Sequence, residues 1–266
     1  MSVSDERERY RAPALDKGLD ILELLAHTDE GLSQAEIAKS LDRTPNEIYR
    51  MLDRLVRRGY VLRANGDRYE LSLKMFELAH ARPPIQRLVS QALPVMRRFS
   101  RAAEQTCHLV IHDRSALIVA AQVESPTYWG VSVRVGARIG LVNTGSGHVF
   151  LAYASSEERR LMLEEQGDDP VQKLTPSLVA RLKQIRAQGF ESMASAQTRG
   201  VTNLSVPILG PTGTVLAALT SPYTERLDNR EVPHQQAVLE LVIAAGKEIS
   251  TRGNALQVQS GRHRTQ

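Results

Sequence analysis

The stretch DRTPNEIYRMLDRLVRRGY, residues 42–60, decides the fold of the first part of the chain. Within it, Thr44–Glu47 has the form of a capping box with proline at the first helical position, which marks the start of a helix. Apolar residues then recur every three or four positions until Gly59, as on one face of a helix. These apolar residues are Ile48, Leu52 and Leu55. The stretch therefore predicts an amphipathic helix with arginines on its outward face.

The flanking sequence predicts the other parts of a winged helix-turn-helix. Residues 14–27 place leucines at helical spacing before Gly31, and Ser33–Glu36 repeats the capping-box pattern at the start of a second helix. After the third helix, two strand-like runs flank Asn65-Gly66, a dipeptide typical of tight hairpins. Helix, helix, short turn, helix and hairpin is the order of a winged helix-turn-helix, in which the last helix enters the major groove of DNA.

The charge balance changes sign at this segment. Residues 1–42 hold five Lys or Arg against ten Asp or Glu, whereas residues 43–74 hold eight against four. Together with the helix order, this basic excess favours double-stranded DNA as the partner over a merely solvated arginine face. Asparagine can pair with adenine, and arginine with guanine or phosphate. The predicted DNA-binding residues are Ser33, Gln34, Arg43, Thr44, Pro45, Asn46, Tyr49, Arg50, Arg54, Arg57, Arg63 and Arg68.

Two acidic residues lie on the predicted recognition helix, where the negatively charged phosphate backbone of DNA would repel them. Glu47 is the third residue after Thr44, so we expect its carboxylate to cap the start of the helix. Asp53 lies about one turn from Arg50 and from Arg57, and we expect it to orient both arginines. The acids therefore do not argue against DNA. The main readers of base edges are then Asn46, Tyr49 and Arg50.

The composition of the chain limits the cellular compartment and the number of domains that we expect. With 266 residues and 42% hydrophobic content, the chain is long enough for two modest domains. A single cysteine, Cys107, excludes an internal disulfide framework and is typical of a reducing compartment. The charged start shows no secretory signal, and apolar runs are too short to span a membrane. We therefore expect a cytoplasmic protein with no membrane partner.

The predicted organisation has five parts. They are a disordered start over 1–11, a DNA-binding domain over 12–72, a linker helix over 73–84, a second domain over 85–252 and a disordered tail over 253–266. The second domain begins with a helix over 85–104 that Pro94 either kinks or divides. Strand-like runs, among them GVSVRVG at 130–136, then alternate with helices. This pattern predicts an α+β fold with a mostly antiparallel sheet.

Three segments resemble the isocitrate-lyase-regulator (IclR) family of bacterial transcription factors. They are LSQAEIAKSLDRTPNEIYRMLDRLVRRGYVLRANGDRYELSLKMFELA (32–79), VRVGARIGLVNTGSGHVFLAYAS (133–155) and RGVTNLSVPILGPTGTVLAALTSP (199–222). The resemblance covers residues 12–252. It implies a winged helix-turn-helix followed by a GAF-like effector-binding domain. It also implies a homodimer or dimer of dimers that binds a palindromic operator of a catabolic operon. In this expectation the DNA-bound protein is associated with the nucleoid, and a small-molecule effector controls its DNA binding.

The resemblance also implies where the effector binds. In the family, a loop of the form Thr-Ala-x-Gly-Lys lines the effector pocket, and a glycine-rich turn at a helix start suits a carboxylate. Family effectors are often small carboxylates or aromatic acids. The implied effector residues are Trp129, Thr144, Gly145, Ser146, Gly147, Asn203, Ser205, Thr220 and Ser221. Asn203 stands where the family has a cysteine, and uncharged residues replace the acids before it, at 195–198. The effector's identity is therefore left open, and Trp129 is either a wall of the site or a packing or interface aromatic.

Other roles for single residues remain open in the sequence. Ser146 lies between a strand and a helix, as does the nucleophile of a hydrolase or acyltransferase, but the Gly-x-Ser-x-Gly spacing is absent. His108 and His112 share one face of a predicted strand, and two such ligands without a nearby acidic or cysteine cluster make a poor metal site. Cys107 points to the opposite face as a small buried residue. We predict a regulator without enzyme activity, cofactor or metal.

Overall fold

The computed structural model describes residues 12–64, 66–80, 83–113, 116–167, 173–228 and 231–262. The chain divides into two compact units, 1–83 and 84–266. Each unit has a hydrophobic core formed by its own residues. Within the described ranges, no helix combines the length and apolar character needed to cross a membrane.

The first unit is a winged helix-turn-helix. Its elements are α1 (Pro13–Leu25), β1 (Leu32–Ser33), α2 (Gln34–Ser40), α3 (Pro45–Arg57), β2 (Val61–Ala64), β3 (Arg68–Leu71) and α4 (Lys74–His80). The three strands form an antiparallel sheet in the order β1-β3-β2. The predicted order of helices and hairpin is confirmed. The hairpin joins Ala64 to Arg68, its Gly66 has φ +87°, and Asn65 lies outside the described residues.

The apolar faces predicted for α2 and α3 form the core of this unit. Ile48 is 0% and Leu52 1% exposed, and they pack with apolar residues of α1, α2 and β2. The fully buried members of the core are Ile21, Leu25, Ile37, Ala38, Ile48, Leu52 and Val61. Burying an aliphatic side chain of this size contributes about 1.5–3 kcal/mol. This core therefore fixes which face of α3 is turned outward.

Gly31 provides the turn that brings β1 beside β3. Its φ of +66° disfavours other residues, and a Cβ added there would lie 2.7 Å from the Tyr69 carbonyl oxygen. The break that the sequence predicted at Gly31 is thus a close backbone approach as well as the end of a helix. A side chain at this position would push β1 away from the wing.

The second unit is an α+β domain around one curved antiparallel sheet. Its elements are α5 (Pro83–Ala103), β4 (Cys107–Asp113), β5 (Ala116–Val123), β6 (Arg138–Ile139), α6 (Gly145–Tyr153), α7 (Ser156–Glu165), α8 (Pro176–Gln188), β7 (Glu191–Ala194), β8 (Val201–Leu209), β9 (Val215–Thr224) and α9 (Gln235–Arg262). The sheet order is β6-β5-β4-β9-β8-β7, and every pairing is antiparallel. The predicted fold class is confirmed.

Several helix boundaries differ from the prediction. Pro94 does not divide α5, which runs from Pro83 to Ala103. Proline is compatible with a first helical turn, so Pro83 and Pro84 begin α5 rather than simply stopping the helix before it, α4, which ends at His80. The tail predicted to be disordered from 253 falls partly within α9, which extends to Arg262. Residues 1–11 and 263–266, also predicted to be disordered, lie outside the described residues.

The strand predicted for GVSVRVG is wrong. Residues 130–136 form no regular strand, and the chain reaches the sheet only at Arg138–Ile139. Gly136 adopts φ +85°, and its N–H donates to the Val119 carbonyl in a turn that leads into β6. The β-favourable residues therefore lack a continuous partner strand, and the tertiary context overrides their propensity.

The two faces of the sheet carry different helices. On one face, α5 and α9 pack against the inward residues of β4, β8 and β9 in the larger core. On the other face, α6, α7 and α8 form a second core that includes Val110, Leu117 and Ala218. The polar residues described below lie on this second face.

Candidate functional site

The start of α3 is held by a set of polar contacts around Glu47. Its carboxylate accepts hydrogen bonds from the Thr44 N–H at 3.1 Å and the Thr44 hydroxyl at 3.0 Å, within the capping box. Lys17 of α1 donates to the same carboxylate at 2.8 Å. These bonds, the one from Lys17 first, lower the pKa of Glu47 to about 2. The predicted capping role of Glu47 is confirmed.

Several predicted DNA-binding residues have contacts that fix the helix-turn-helix itself. Ser33 caps α2 in a capping box with Glu36. Gln34 donates to the Pro45 carbonyl at 2.9 Å, which ties the start of α2 to the start of α3. Arg43 pairs with Asp20 of α1 at 3.2 Å. These contacts set the angle at which α3 is presented.

The outward face of α3 carries exposed polar side chains. Arg57 pairs with Asp53 at 3.0 Å, as predicted, whereas Arg50 has no such contact with that acid. Arg50 and Arg54 form no side-chain hydrogen bond or ion pair within the described residues. The exposed residues of this face are Asn46, Tyr49, Arg50, Arg54 and Arg57. Two guanidinium groups are thus available for an external acceptor.

The two arginines of the wing differ in their partners. Arg63 is exposed near the hairpin end and pairs with Asp67. Arg68 donates to the carbonyls of Glu30 at 3.1 Å and Gly31 at 2.9 Å. Arg68 therefore fastens β3 to the loop before β1, while Arg63 stands at the free end of the wing.

In the second unit, the glycines of the predicted effector loop allow close packing. Thr144 caps α6 by accepting a hydrogen bond from the Gly147 N–H at 3.0 Å. A Cβ on Gly147 would lie 2.1 Å from the Leu141 carbonyl oxygen, and one on Gly145 would lie 2.4 Å from the Ser205 hydroxyl. Gly147 thus lets α6 approach the preceding backbone, and Gly145 lets the helix start rest on β8.

Three hydroxyl groups form a buried chain beside the start of α6. The Ser146 hydroxyl lies 2.7 Å from that of Thr220, which lies 2.7 Å from that of Ser205. Asn203 follows the same face of β8 and is half-buried. Ser221 points to the opposite face and donates to the Thr106 carbonyl at 2.8 Å. The structure therefore brings together Gly145, Ser146, Asn203, Ser205 and Thr220, and it separates Ser221 from them.

The free amides of α6 make this region suited to an anion. The first N–H groups of a helix have no intrahelical partner, and they carry the positive end of its dipole. Gly145 and Ser146 occupy these positions and are buried. Amides and hydroxyls converging at a helix start can bind a carboxylate.

A buried ion network lies beside the hydroxyl chain, and sequence reasoning missed it. The fully buried Glu191 carboxylate accepts from His148 Nδ1 at 2.9 Å and from Arg181 Nε at 3.0 Å. Burial alone would raise the pKa of Glu191, but the hydrogen bonds from His148 and Arg181 outweigh it and lower that pKa. His148 Nε2 also lies 2.9 Å from the Val142 carbonyl. His148 thus bridges the Glu191 carboxylate and the backbone before α6.

Trp129 lines a cleft whose wall does not include the hydroxyl chain. It is 58% exposed and does not begin a strand. The cleft has a volume of about 440 Å³, and its wall also includes Tyr128, Gln105, Thr224 and Arg226. The structure therefore does not place Trp129 with the other predicted effector residues.

The histidines and the cysteine of β4 have the predicted orientations. His108 lies on the α6 side of the sheet, while Cys107 is fully buried on the other side. Burial raises the pKa of the Cys107 thiol to about 12, which suppresses its nucleophilic form. The described residues contain no group of three metal-ligating side chains.

Comparison with known proteins identifies the family. Residues 14–64 match the IclR helix-turn-helix domain, and residues 85–251 match the domain described as bacterial transcriptional regulator IclR C-terminal. The regulator BhcR of Paracoccus denitrificans is 30% identical over 89% of this chain and 86% of its own. KdgR of Escherichia coli is 26% identical over 89% of this chain and 90% of its own. The Pca regulon regulatory protein of Pseudomonas putida is 25% identical over 89% and 82%.

Solved structures share the fold. An IclR homologue from Microbacterium hydrocarbonoxydans, complexed with 4-hydroxybenzoate, is 22% identical with a TM-score of 0.73, over 90% of this chain and 98% of its own. Pseudomonas aeruginosa HmgR is 24% identical with a TM-score of 0.70, over 91% and 99%. The curated relatives are transcriptional regulators and not enzymes, and Ser146 is 1% exposed with its hydroxyl bonded to Thr220. The chain therefore belongs to the IclR family of bacterial helix-turn-helix transcriptional regulators.

Proposed function

We propose that this regulator controls a catabolic operon by binding a palindromic operator as a dimer or dimer of dimers. In this proposal a small organic acid, aliphatic or aromatic, binds the second unit and changes the affinity for DNA. The observation that carries the proposal is the outward face of α3, which presents unpaired arginines on a helix-turn-helix whose geometry is fixed by internal contacts. Among the relatives, the Pca regulon regulatory protein bears a name that points to a similar role.

The roles on DNA follow from the partners of each side chain. Arg50 and Arg54 have no protein partner in the described ranges, so they are assigned to base edges and phosphates. Asn46 and Tyr49 are assigned to base edges, while Arg57 and Arg63 are assigned to phosphate contact. Residues that cap a helix or link two elements of the unit are assigned to positioning α3 and the wing. These positioning residues are Ser33, Gln34, Arg43, Thr44, Pro45 and Arg68.

The effector site is assigned to the start of α6 and the adjacent sheet. The amides of Gly145 and Ser146 receive the carboxylate, and the hydroxyls of Ser205 and Thr220 with the Asn203 amide bind the remaining polar groups. The 4-hydroxybenzoate complex of the Microbacterium homologue supports an aromatic acid as one candidate class. Ser221 and Trp129 are left outside this site.

Exposed apolar residues on the first unit support self-association. Leu15 and Leu19 of α1 are 60% and 45% exposed, and Met75 and Leu78 of α4 are 45% and 47% exposed. Exposed apolar side chains grouped on surface helices are a common mark of protein interfaces. A dimer formed there would present two copies of α3 to the two halves of a palindrome.

The effector changes DNA binding only if its affinity differs between the DNA-compatible and DNA-incompatible arrangements of the dimer. A tenfold change in operator affinity needs a coupling free energy of about 1.4 kcal/mol. One additional hydrogen bond to the effector in one arrangement is of this size.

The DNA assignment is tested with Arg50→Ala in fluorescence anisotropy on the DNA upstream of the protein's own gene. Loss of a bidentate base contact costs about 1–3 kcal/mol, so we expect roughly 5- to 150-fold weaker binding and reduced preference over scrambled DNA. Arg160→Ala, an exposed arginine of α7, is the matched control and should bind as wild type does. Wild-type affinity for Arg50→Ala would contradict the docking of α3.

The effector assignment is tested by a thermal-shift screen of aliphatic and aromatic acids, followed by DNA binding with each stabilising acid. We expect at least one acid to stabilise the second unit and to change operator affinity. Asn203→Leu should weaken that stabilisation, whereas Asn143→Leu, before the α6 cap, is the matched control. Equal responses of the two variants would contradict the assigned location.

A further inference from the structure

His108 is a buried histidine whose imidazole has no hydrogen-bonding partner within the described residues. It is 6% exposed, and no hydrogen bond or ion pair involves it. Its ring nitrogens are not among the unpaired side-chain atoms of the described residues that are wholly shielded from solvent, so part of their surface stays accessible. An accessible imidazole without a protein partner, in the middle of a strand, can therefore take a hydrogen-bonding group from outside the chain.

The strand register places His108 beside the proposed effector site. His108 pairs with Thr220 across β4 and β9, and Thr220 pairs with Ser205 across β9 and β8. Residues directly opposite each other share one face of a sheet, with Cβ atoms about 5 Å apart. A molecule whose carboxylate binds at the start of α6 and which extends over Thr220 thus passes within reach of the His108 ring.

The protonation state of His108 limits what it can bind. Burial lowers the pKa of His108 to about 4, so the ring is neutral near pH 7. A neutral imidazole has one nitrogen that donates and one that accepts. A hydroxyl group can meet either nitrogen, because it also both donates and accepts. Glu191, which continues the same cross-strand row beyond Ser205, is already paired with His148 and Arg181.

We propose that His108 is a specificity-determining residue that binds a hydroxyl group of the effector. The effector class is then a monocarboxylic acid with a hydroxyl at the end remote from the carboxylate. This inference rests on the proposed function, since the start of α6 receives the carboxylate there. It adds a contact at the opposite end of the molecule, on a different strand.

Two pairs of acids that differ by one hydroxyl test the proposal, namely 4-hydroxybenzoate against benzoate and 4-hydroxybutyrate against butyrate. Isothermal titration of the full-length protein should give at least about fivefold tighter binding of the hydroxylated member in one pair, because the deoxy acid leaves the imidazole unpaired. A preference in the first pair indicates an aromatic effector and a preference in the second an aliphatic one. Equal binding within both pairs would overturn the proposal.

Substitutions at His108 test whether this residue causes the preference for the hydroxylated acid. His108→Phe should bind both members of the responsive pair with equal affinity, near that of wild type for the deoxy acid. His108→Asn, which can still donate and accept, should regain part of the preference. His112→Phe on the same strand, where His112 already packs on Phe150 with ring centroids 5.9 Å apart, is the matched control and should keep it. A full preference in His108→Phe would refute the assignment.

A measurement on wild-type protein covers the case in which His108→Phe does not fold. The ring nitrogens of His108 should show a neutral tautomer by NMR, and their shifts should move with the hydroxylated acid more than with its deoxy partner. Identical shifts with both acids would contradict the contact. If none of the four acids binds, the proposed carboxylate site at the start of α6 is refuted, and the proposed role of His108 is refuted with it. Binding without discrimination overturns the role of His108 alone.

Discussion

Glu191→Ala is predicted to destabilise the second unit strongly while leaving the first unit intact. Glu191 is fully buried and is the shared acceptor for His148 and Arg181, so the substitution would leave Arg181 without a counter-charge and His148 without an acceptor. Breaking a buried ion pair by removing one partner costs about 3–5 kcal/mol. The Arg181 side chain is 35% exposed and can be partly solvated, so we expect the low end, about 3 kcal/mol.

The size of this effect can be measured in one part of the molecule. Trp129 is the only tryptophan and lies in the second unit, so its fluorescence during thermal unfolding follows that unit. For a unit of this size, about 3 kcal/mol corresponds to a fall in Tm of roughly 6–12 °C. Glu191→Gln, which keeps an acceptor but no charge, should fall between wild type and Glu191→Ala.

The pH dependence of this difference follows from the sign of the pKa shift. The pKa of Glu191 is lower in the folded protein than its usual value of 4.5. Its contribution to stability is therefore present above pH 4.5 and is lost as the pH falls through the folded pKa. The gap between wild type and Glu191→Ala should shrink on acidification.

A surface pair provides the control for this prediction. Glu157 pairs with Arg160 on α7, and its side chain is 67% exposed. Glu157→Ala should leave the unfolding free energy nearly unchanged, because solvent screens an exposed pair. If Glu191→Ala were as mild as Glu157→Ala, the reasoning on the buried network would be refuted.

Three further predictions concern other features. Gly147→Ala should lower the stability of the second unit by roughly 1–3 kcal/mol or more in urea unfolding, because the new Cβ would meet the Leu141 backbone. Lys17→Ala should raise the pKa of Glu47 from about 2 toward its usual 4.5 in an NMR titration, and the contribution of that carboxylate is present above pH 4.5 and lost as the pH falls toward 2. Cys107 should resist a thiol reagent in the folded protein and react once per chain in urea.

Each of these has its own control or contrary outcome. Gly18 in α1 has open space around it, so Gly18→Ala should be neutral or stabilise the helix by about 0.5–1 kcal/mol. An unchanged Glu47 titration in Lys17→Ala would show that the capping bonds alone set its pKa. Rapid labelling of Cys107 in native protein would contradict its burial.

Local features of the fold could be predicted from the sequence. Both capping boxes, the Asp53–Arg57 pair and the core face of α3 depend on residues within four positions of each other, so spacing alone reveals them. The resemblance to the family extended this to the second unit by grouping Ser146, Ser205 and Thr220, whose hydroxyls the structure brings together. Residue spacing therefore predicts the secondary-structure elements and the faces that they bury.

Contacts between distant parts of the chain could not be predicted in this way. Arg68 and Gly31 are 37 residues apart, and His148 and Glu191 are 43 apart. No periodicity relates such positions, so neither the positioning role of Arg68 nor the buried network is visible in the sequence. A histidine where the family has lysine was the one local signal of the network.

A single-residue shift along β9 separates Ser221 from the other implied effector residues. Successive residues of a strand point to opposite faces, so an assignment that is wrong by one position reverses the face. Thr220 points toward α6, whereas Ser221 points toward Thr106. Strand identity was predicted correctly, but the register against neighbouring strands had to come from the structure.

Because side chains alternate between the two faces along β9, evolution can act separately on its core residues and on its polar residues. Leu219 and Tyr223 belong to the core formed with α5 and α9, while Thr220 belongs to the polar row that runs from Ser205 to His108. Under the proposed effector assignment, substitutions in the polar row change which molecule is recognised without enlarging or emptying that core. Related regulators can thus diverge in what they sense while one face of the same strands keeps the domain folded.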